Sequence, residues 1–159
     1  FFNVYMYHPN PYYYVDGEKK MMSFRLIMDK ARKGEPIEVW GDSSRTKEML
    51  YVKDLTLLIE QAIESDKKGG IYNVGSSKQV SLEEQIDGII DVFSDAKRSE
   101  KVYCPEKPDA LFNHLDISKT IKDLDYKPQY SYIDWLRDFK LEEEMNRFEK
   151  LWGTRDDYE

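Results

Sequence analysis

Apolar residues recur with two different periods along the chain, and segments of the two kinds alternate. Short runs of β-branched and aromatic residues indicate strands, whereas apolar residues spaced three or four positions apart indicate helices. Because strand segments alternate with helical ones, the pattern is typical of an α/β layer structure. The predicted strands are residues 1–7, 37–40, 48–52, 71–74 and 102–104.

The helix boundaries follow from residues that favour the first or last turn. Gly34 suits the position just beyond a helix that carries Phe24 and Met28. Asp54 is predicted to cap the next helix, and Ser81 with its partner three residues on forms a capping box for the third. The apolar positions of the third helix are Ile86, Ile89, Ile90 and Phe93.

The last third of the chain contains two further predicted helices. A short one spans residues 118–124 and stops before Pro128. A long terminal helix is predicted to begin at Ser131 and to continue through Trp152. The polar residues 153–159 are predicted to fray.

The polar turn after Val39 and Trp40 suggests chemistry, because it carries Arg45 and Lys47. If this turn joins two strands of a hairpin, residues two apart project on the same side. Two cations on one face repel each other, so a phosphate between them would be favourable. The alternative interpretation is a solvated hairpin tip with ordinary surface charge, and this stretch alone leaves both open.

Composition excludes several classes of function. The 159 residues carry a net charge of −7, which argues against general nucleic-acid binding and leaves room for one local basic site. No apolar run is long enough to cross a bilayer. A single cysteine, Cys104, is expected to be a buried structural thiol, and it fits a reducing, cytoplasmic setting. His8 and His114 do not form a zinc ligand set.

Five short segments follow one another in a recognisable order. They are FFNVY (1–5), GEPIEVWGD (34–42), KEMLYVKD (47–54), YNVGSSKQVSL (72–82) and DISK with LDYKP (116–128). Each segment by itself is weak evidence for any family. Together, by order and spacing over nearly the whole chain, they resemble the NAD-dependent epimerases and dehydratases, the extended short-chain dehydrogenase/reductase family.

This resemblance implies a fold and a function. It implies the C-terminal portion of a Rossmann-type enzyme, with the last strands of the dinucleotide-binding sheet and the smaller substrate-binding lobe. We therefore expect residues 1–159 to be a single partial domain of a longer enzyme whose N-terminal NAD-binding half is absent. The implied cofactor is NAD(P), bound mainly by that half, and the implied ligand is a nucleotide-sugar or another anionic small molecule.

The resemblance also implies substrate-binding residues. Asn3 matches an asparagine on the phosphate side of the substrate, and Lys47 stands where the family has an arginine that grips the diphosphate. Arg45 is two positions before Lys47 and close enough to compensate for the missing arginine. Lys107 begins a segment similar to the R-P-G-D segment of the family. Lysine lacks the two-pronged grip of arginine, so the two substitutions leave the diphosphate ligand open to question.

No catalytic residue is predicted in this chain. The glycine-rich turn that a dinucleotide needs is not found in the sequence, and the one Y-x-x-x-K match, Tyr103–Lys107, contains Pro105, which forbids a normal helix interior. We expect the chain alone to be inert. The alternatives are a non-catalytic relative that keeps the fold for binding or scaffolding, and a small α/β domain complete in itself. The sequence does not fix the oligomeric state, and a homodimer is one possibility for the full-length protein.

Overall fold

Strands and helices alternate in the computed structural model, which describes residues 4–67, 69–76, 78–109 and 114–159. The predicted α/β class is confirmed. The strands are β1 (Val4–Tyr5), β2 (Tyr12–Val15), β3 (Glu18–Met21), β4 (Ile37–Trp40), β5 (Thr46–Glu48), β6 (Leu50–Tyr51), β7 (Gln79–Ser81) and β8 (Lys101–Cys104). The helices are α1 (Ser23–Lys33), α2 (Val52–Glu64), α3 (Leu82–Phe93), α4 (Ser118–Leu124), α5 (Tyr132–Met145) and α6 (Glu149–Trp152), followed by a 3-10 helix (Arg155–Tyr158).

The strands form four pairs. Two are parallel, β1 with β6 and β4 with β8, and two are antiparallel, β2 with β3 and β5 with β7. The predicted hairpin between residues 37–40 and 48–52 is therefore wrong. After the turn, the carbonyls of Ser43 and Arg45 accept the N–H groups of Glu83 and Leu82. These bonds direct the chain to the start of α3 instead of back along β4.

Helices α1, α3 and α5 pack together over β4 and form the main core. The predicted apolar face of α3 is confirmed, because its four positions are almost fully buried. Trp135, Leu136 and Phe139 of α5 meet that face. Within the described ranges, none of the helices has the length and apolar content that crossing a bilayer requires.

A second, smaller core lies between α2 and α4, around Leu58 and Tyr126. The predicted strand at residues 71–74 is wrong, since this segment is irregular. The carbonyl of Ile71 accepts a bond from Lys119 Nζ at 2.9 Å, and the carbonyl of Asn73 accepts one from Thr120 Oγ1 at 2.5 Å. Side chains of α4 thus bind carbonyls that a neighbouring strand would otherwise pair.

Asp54 has a different role from the one predicted. Helix α2 begins two residues earlier, so Asp54 lies in its first turn and is not the capping residue. Its buried carboxylate accepts the N–H groups of Gln129 at 2.7 Å and Tyr130 at 3.4 Å. Burial raises the pKa of Asp54, although these two bonds act in the opposite direction. Asp54 therefore ties α2 to the segment that precedes α5.

Two further segments are ordered. Residues 12–15 pair with β3 through a turn at Asp16 and Gly17, whose φ values of 52° and 80° suit a two-residue hairpin. The terminal helix breaks at Asn146, where φ is 36°. The polar tail is packed, since Arg155 donates to Asp29 at 2.9 and 2.6 Å.

Candidate anion-binding site

The carboxyl ends of β4 and β8 lie side by side. Trp40, the last residue of β4, pairs with Cys104, the last residue of β8. The chain then leaves β4 through Gly41, whose N–H donates to the carbonyl of Cys104 at 3.0 Å. Ligands of α/β proteins bind preferentially at the carboxyl ends of parallel strands. This edge is therefore the natural place to look for a site.

Arg45 reaches this edge with its guanidinium. Its Nη1 donates to the carbonyl of Trp40 at 2.7 Å and to the carboxylate of Asp109. The same carboxylate oxygen accepts the N–H of Asp42 at 2.9 Å. Arg45 Nε is buried and has no hydrogen-bond partner among the described residues. The site thus contains a fixed cation with unused donor capacity.

Lys107 reaches the same edge from the other side. Its Nζ lies 5.4 Å from the centroid of the Trp40 indole, within the range of a cation–π contact. Trp40 is 45% exposed, and its indole Nε1 donates to Glu38 Oε2 at 2.7 Å. The structure therefore brings two of the predicted site residues, Arg45 and Lys107, together around Trp40.

Lys47 lies beside a different aromatic ring. It is the middle residue of β5, and its Nζ is 5.2 Å from the ring centroid of Tyr5. Burial lowers the pKa of Lys47 and raises the pKa of Tyr5 to about 12. Arg45 precedes β5, so the premise that Arg45 and Lys47 project side by side from one hairpin strand is wrong. Their binding roles stay predictions, and Asn3 lies outside the described residues.

The rejected Y-x-x-x-K match forms no tyrosine–lysine pair of the catalytic kind. The hydroxyl of Tyr103 donates to Glu83 at 2.6 Å, and this bond raises the pKa of Tyr103. A tyrosine that acts as a general base near neutral pH needs a lowered pKa. Cys104 is only partly buried, unlike the prediction, and burial raises the pKa of its thiol. The described residues include no group of His, Cys, Asp and Glu that could hold a metal ion.

A cavity of about 560 Å³ lies apart from this edge, between α3 and the first turn of α5. Its lining includes three carboxylates, Glu84, Asp87 and Asp91, and one cation, Lys78. This excess of negative charge makes it a poor receptor for a phosphate. The cations at the end of β4 remain the better anion site.

Sequence reasoning missed Asp109 and Trp40 as members of the site. Asp109 is 64 positions from Arg45, and no periodic pattern connects residues so far apart. The signal available was the position of Trp40 at the end of a strand and of Asp109 two residues after Lys107.

Comparisons with known proteins point to one family. The family model described as "NAD dependent epimerase/dehydratase family" matches residues 1–75. An uncharacterized protein of Methanocaldococcus jannaschii is 31% identical over 106 residues, which cover 67% of this chain and 32% of that protein. The dTDP-4-dehydro-6-deoxy-D-allose reductase of a Streptomyces species is 32% identical over 105 residues, covering 65% and 31%.

The fold comparison agrees. The crystal structure of UDP-glucuronic acid 4-epimerase from Bacillus cereus, in complex with UDP-glucuronic acid and NAD, superposes with a TM-score of 0.61 and 25% identity. The match covers 74% of this chain and 38% of the epimerase chain. The chain therefore spans well under half the length of the proteins it resembles.

Proposed function

Since this chain belongs, by the sequence of residues 1–75 and by its fold, with the NAD-dependent epimerases and dehydratases, we propose that it is the substrate-binding part of such an enzyme. The ligand we propose is a nucleotide-sugar. The observation that carries the proposal is that Arg45 binds the main-chain carbonyl of Trp40 while Lys107 lies over the Trp40 ring, at the carboxyl ends of two parallel strands.

The proposed division of labour follows from the charges at this edge. The two cations bind the negatively charged diphosphate of the ligand, and the indole of Trp40 offers an apolar surface beside them. Binding energy from this non-reacting end of the substrate positions the sugar for reaction. In the complete enzyme the chemistry is a hydride transfer to NAD(P) and its return to the altered sugar, performed by groups outside this chain. The chain alone is proposed to be inert.

Lys47 and Asn3 are proposed as further contacts to the phosphate groups. Lys47 is a partly desolvated cation beside Tyr5, and the Coulomb attraction of an incoming anion would offset part of the hydration energy that burial removes. The proposal for Asn3 rests on the family resemblance of residues 1–5 alone.

The test is calorimetric titration of the protein with UDP-glucose and with dTDP-glucose. Changing Lys47 or Lys107 to alanine should each weaken binding by about 1 to 3 kcal/mol, the range for a charge-assisted hydrogen bond. Lys127→Ala is the matched control, because the Lys127 side chain is 73% exposed and pairs only with Asp125 among the described residues. An unchanged affinity would remove the altered lysine from the site.

A second candidate is a non-catalytic relative that keeps the fold for binding or scaffolding. The pairing of Arg45 with Asp109 favours it slightly, because a cation already neutralised by the protein holds a phosphate less well. The gene sequence upstream of the codon for Phe1 distinguishes the two. An intact glycine-rich turn followed by Y-x-x-x-K supports the enzyme, and loss of either supports the binding protein.

A further inference from the structure

The turn after β4 is shaped to receive an anionic oxygen. Gly41 adopts a φ of 66°, a left-handed conformation that favours glycine. A Cβ at this position would overlap Asp109 Oδ1, so only glycine lets the oxygen approach the backbone. The N–H of Asp42 and Nη1 of Arg45 both donate to this oxygen. We refer to Gly41, the Asp42 N–H and Arg45 as the anion cradle.

The two charged partners in the cradle differ in how firmly they are held. The Arg45 side chain is 19% exposed and is also bound to the carbonyl of Trp40. The Asp109 side chain is 46% exposed. A half-exposed carboxylate can turn into solvent at small cost, because water replaces its hydrogen bonds. Arg45 is thus the fixed component and Asp109 the exchangeable one.

We propose that Asp109 is a specificity-determining residue: its carboxylate occupies the anion cradle as an internal competitor, and an anionic ligand must displace it. This inference rests on the proposed binding site but not on the identity of the sugar. Asp109 cancels one of the two positive charges that Arg45 and Lys107 bring to this edge. A carboxylate ligand would replace the Asp109 carboxylate with another carboxylate, so the net gain in binding free energy would be small. A diphosphate brings more charge and more acceptor oxygens, so the competition selects for it.

The carboxylate of Glu106 provides a matched control. Glu106 is exposed and lies between the end of β8 and Asp109, outside the cradle. Glu106→Gln removes the same formal charge from the same segment and leaves the Asp109 carboxylate in the cradle. It therefore separates a general change in charge from the loss of the competitor.

The experiment is calorimetric titration with inorganic pyrophosphate, and with acetate as a monoanionic probe. Asp109→Asn and Asp109→Ala should each tighten pyrophosphate binding by about 10-fold, the effect of removing one competing charge-assisted bond. Glu106→Gln should change it by less than about 2-fold. The gain should disappear in Arg45→Gln/Asp109→Asn, because the cradle has lost its cation. Acetate should bind to the Asp109 variants more tightly than to the natural protein.

The inference is overturned if neither Asp109 variant binds pyrophosphate more tightly, or if the gain survives in the double variant. An NMR titration of the natural protein keeps the test independent of how the variants fold. Saturating pyrophosphate should shift the amide resonance of Asp42, whose acceptor changes, and an unshifted resonance also rejects the inference. UDP-glucose binding that Asp109→Asn leaves unchanged would retain the proposed function and reject Asp109 as competitor. Tighter pyrophosphate binding by Asp109→Asn without any UDP-glucose binding would support Asp109 as the competitor and reject the proposed function.

Discussion

Gly88 lies at the point where helices α3 and α5 approach each other, and its replacement by alanine gives a sharp test of the packing. A Cβ at Gly88 would lie 2.6 Å from Cε1 of Tyr132 and 2.8 Å from Cδ1 of Ile133. The ring of Tyr132 cannot move aside easily. Its hydroxyl donates to the carbonyl of Gln85 at 2.6 Å, and it packs edge-on against Trp135 at 5.2 Å between centroids.

Two effects oppose each other in Gly88→Ala. Alanine is favoured over glycine inside a helix by about 1 kcal/mol. Overpacking a buried site costs about 1 to 3 kcal/mol, and the hydrogen-bonded ring of Tyr132 places the cost at Gly88 towards the upper end of that range. We therefore expect the free energy of unfolding to fall by about 1 to 2 kcal/mol.

The assay is urea unfolding followed by far-ultraviolet circular dichroism. Asp91→Ala is the control, because Asp91 is an exposed residue of the same helix and its pair with Arg98 lies at the surface. We expect that change to alter stability by less than about 0.5 kcal/mol. A second variant, Gly88→Ala with Ile133→Val, should recover part of the loss by making room. If Gly88→Ala proves as stable as the natural protein, the close approach of the two helices is not the constraint argued here.

Two further predictions concern buried carboxylates. Asp54→Ala should lower the free energy of unfolding by about 2 kcal/mol, because the N–H groups of Gln129 and Tyr130 lose their acceptor. Urea unfolding tests this, with Asp66→Ala, a change at an exposed residue, as the control. Equal losses of stability in the two variants would contradict the prediction. For Glu142, burial raises the pKa, but hydrogen bonds from Arg147 and Lys53 outweigh burial, so that its pKa lies below its usual value of 4.5. Its contribution is therefore present above pH 4.5 and is lost as the pH falls through the lowered pKa. Urea midpoints measured across that acidic range should fall less steeply for Glu142→Gln, and identical slopes would refute the argument.

The accuracy of the sequence predictions depended on how far apart the interacting residues lie. The capping box at Ser81 and the helix end at Gly34 were predictable, because their partners lie within four residues along the chain. The pairing of β4 was not, since an apolar run shows that a strand forms without showing which strand it joins. The sequence of the turn at Gly41–Ser44 is compatible with a hairpin. In the folded chain, however, the carbonyls of Ser43 and Arg45 accept the first two N–H groups of α3.

The candidate site shows the same limit. Arg45 and Lys107 could be selected from residue type and family resemblance, but their common position at Trp40 depends on the parallel pairing of β4 with β8. The carboxylate that holds Arg45 comes from the segment after β8. Only the folded chain reveals that the protein supplies an anion to its own cation.

The contact between Asp29 and Arg155 spans 126 positions, which has a consequence for synthesis on the ribosome. At about 5 to 20 residues per second, roughly 6 to 25 s pass between the addition of these two residues. During that interval α1 has been made, and its Asp29 carboxylate has Arg32 of the same helix as a partner but does not yet have Arg155. Helix α1 therefore reaches its final electrostatic surroundings late, and a translational delay before residue 155 would lengthen the time in which other cations can bind to it.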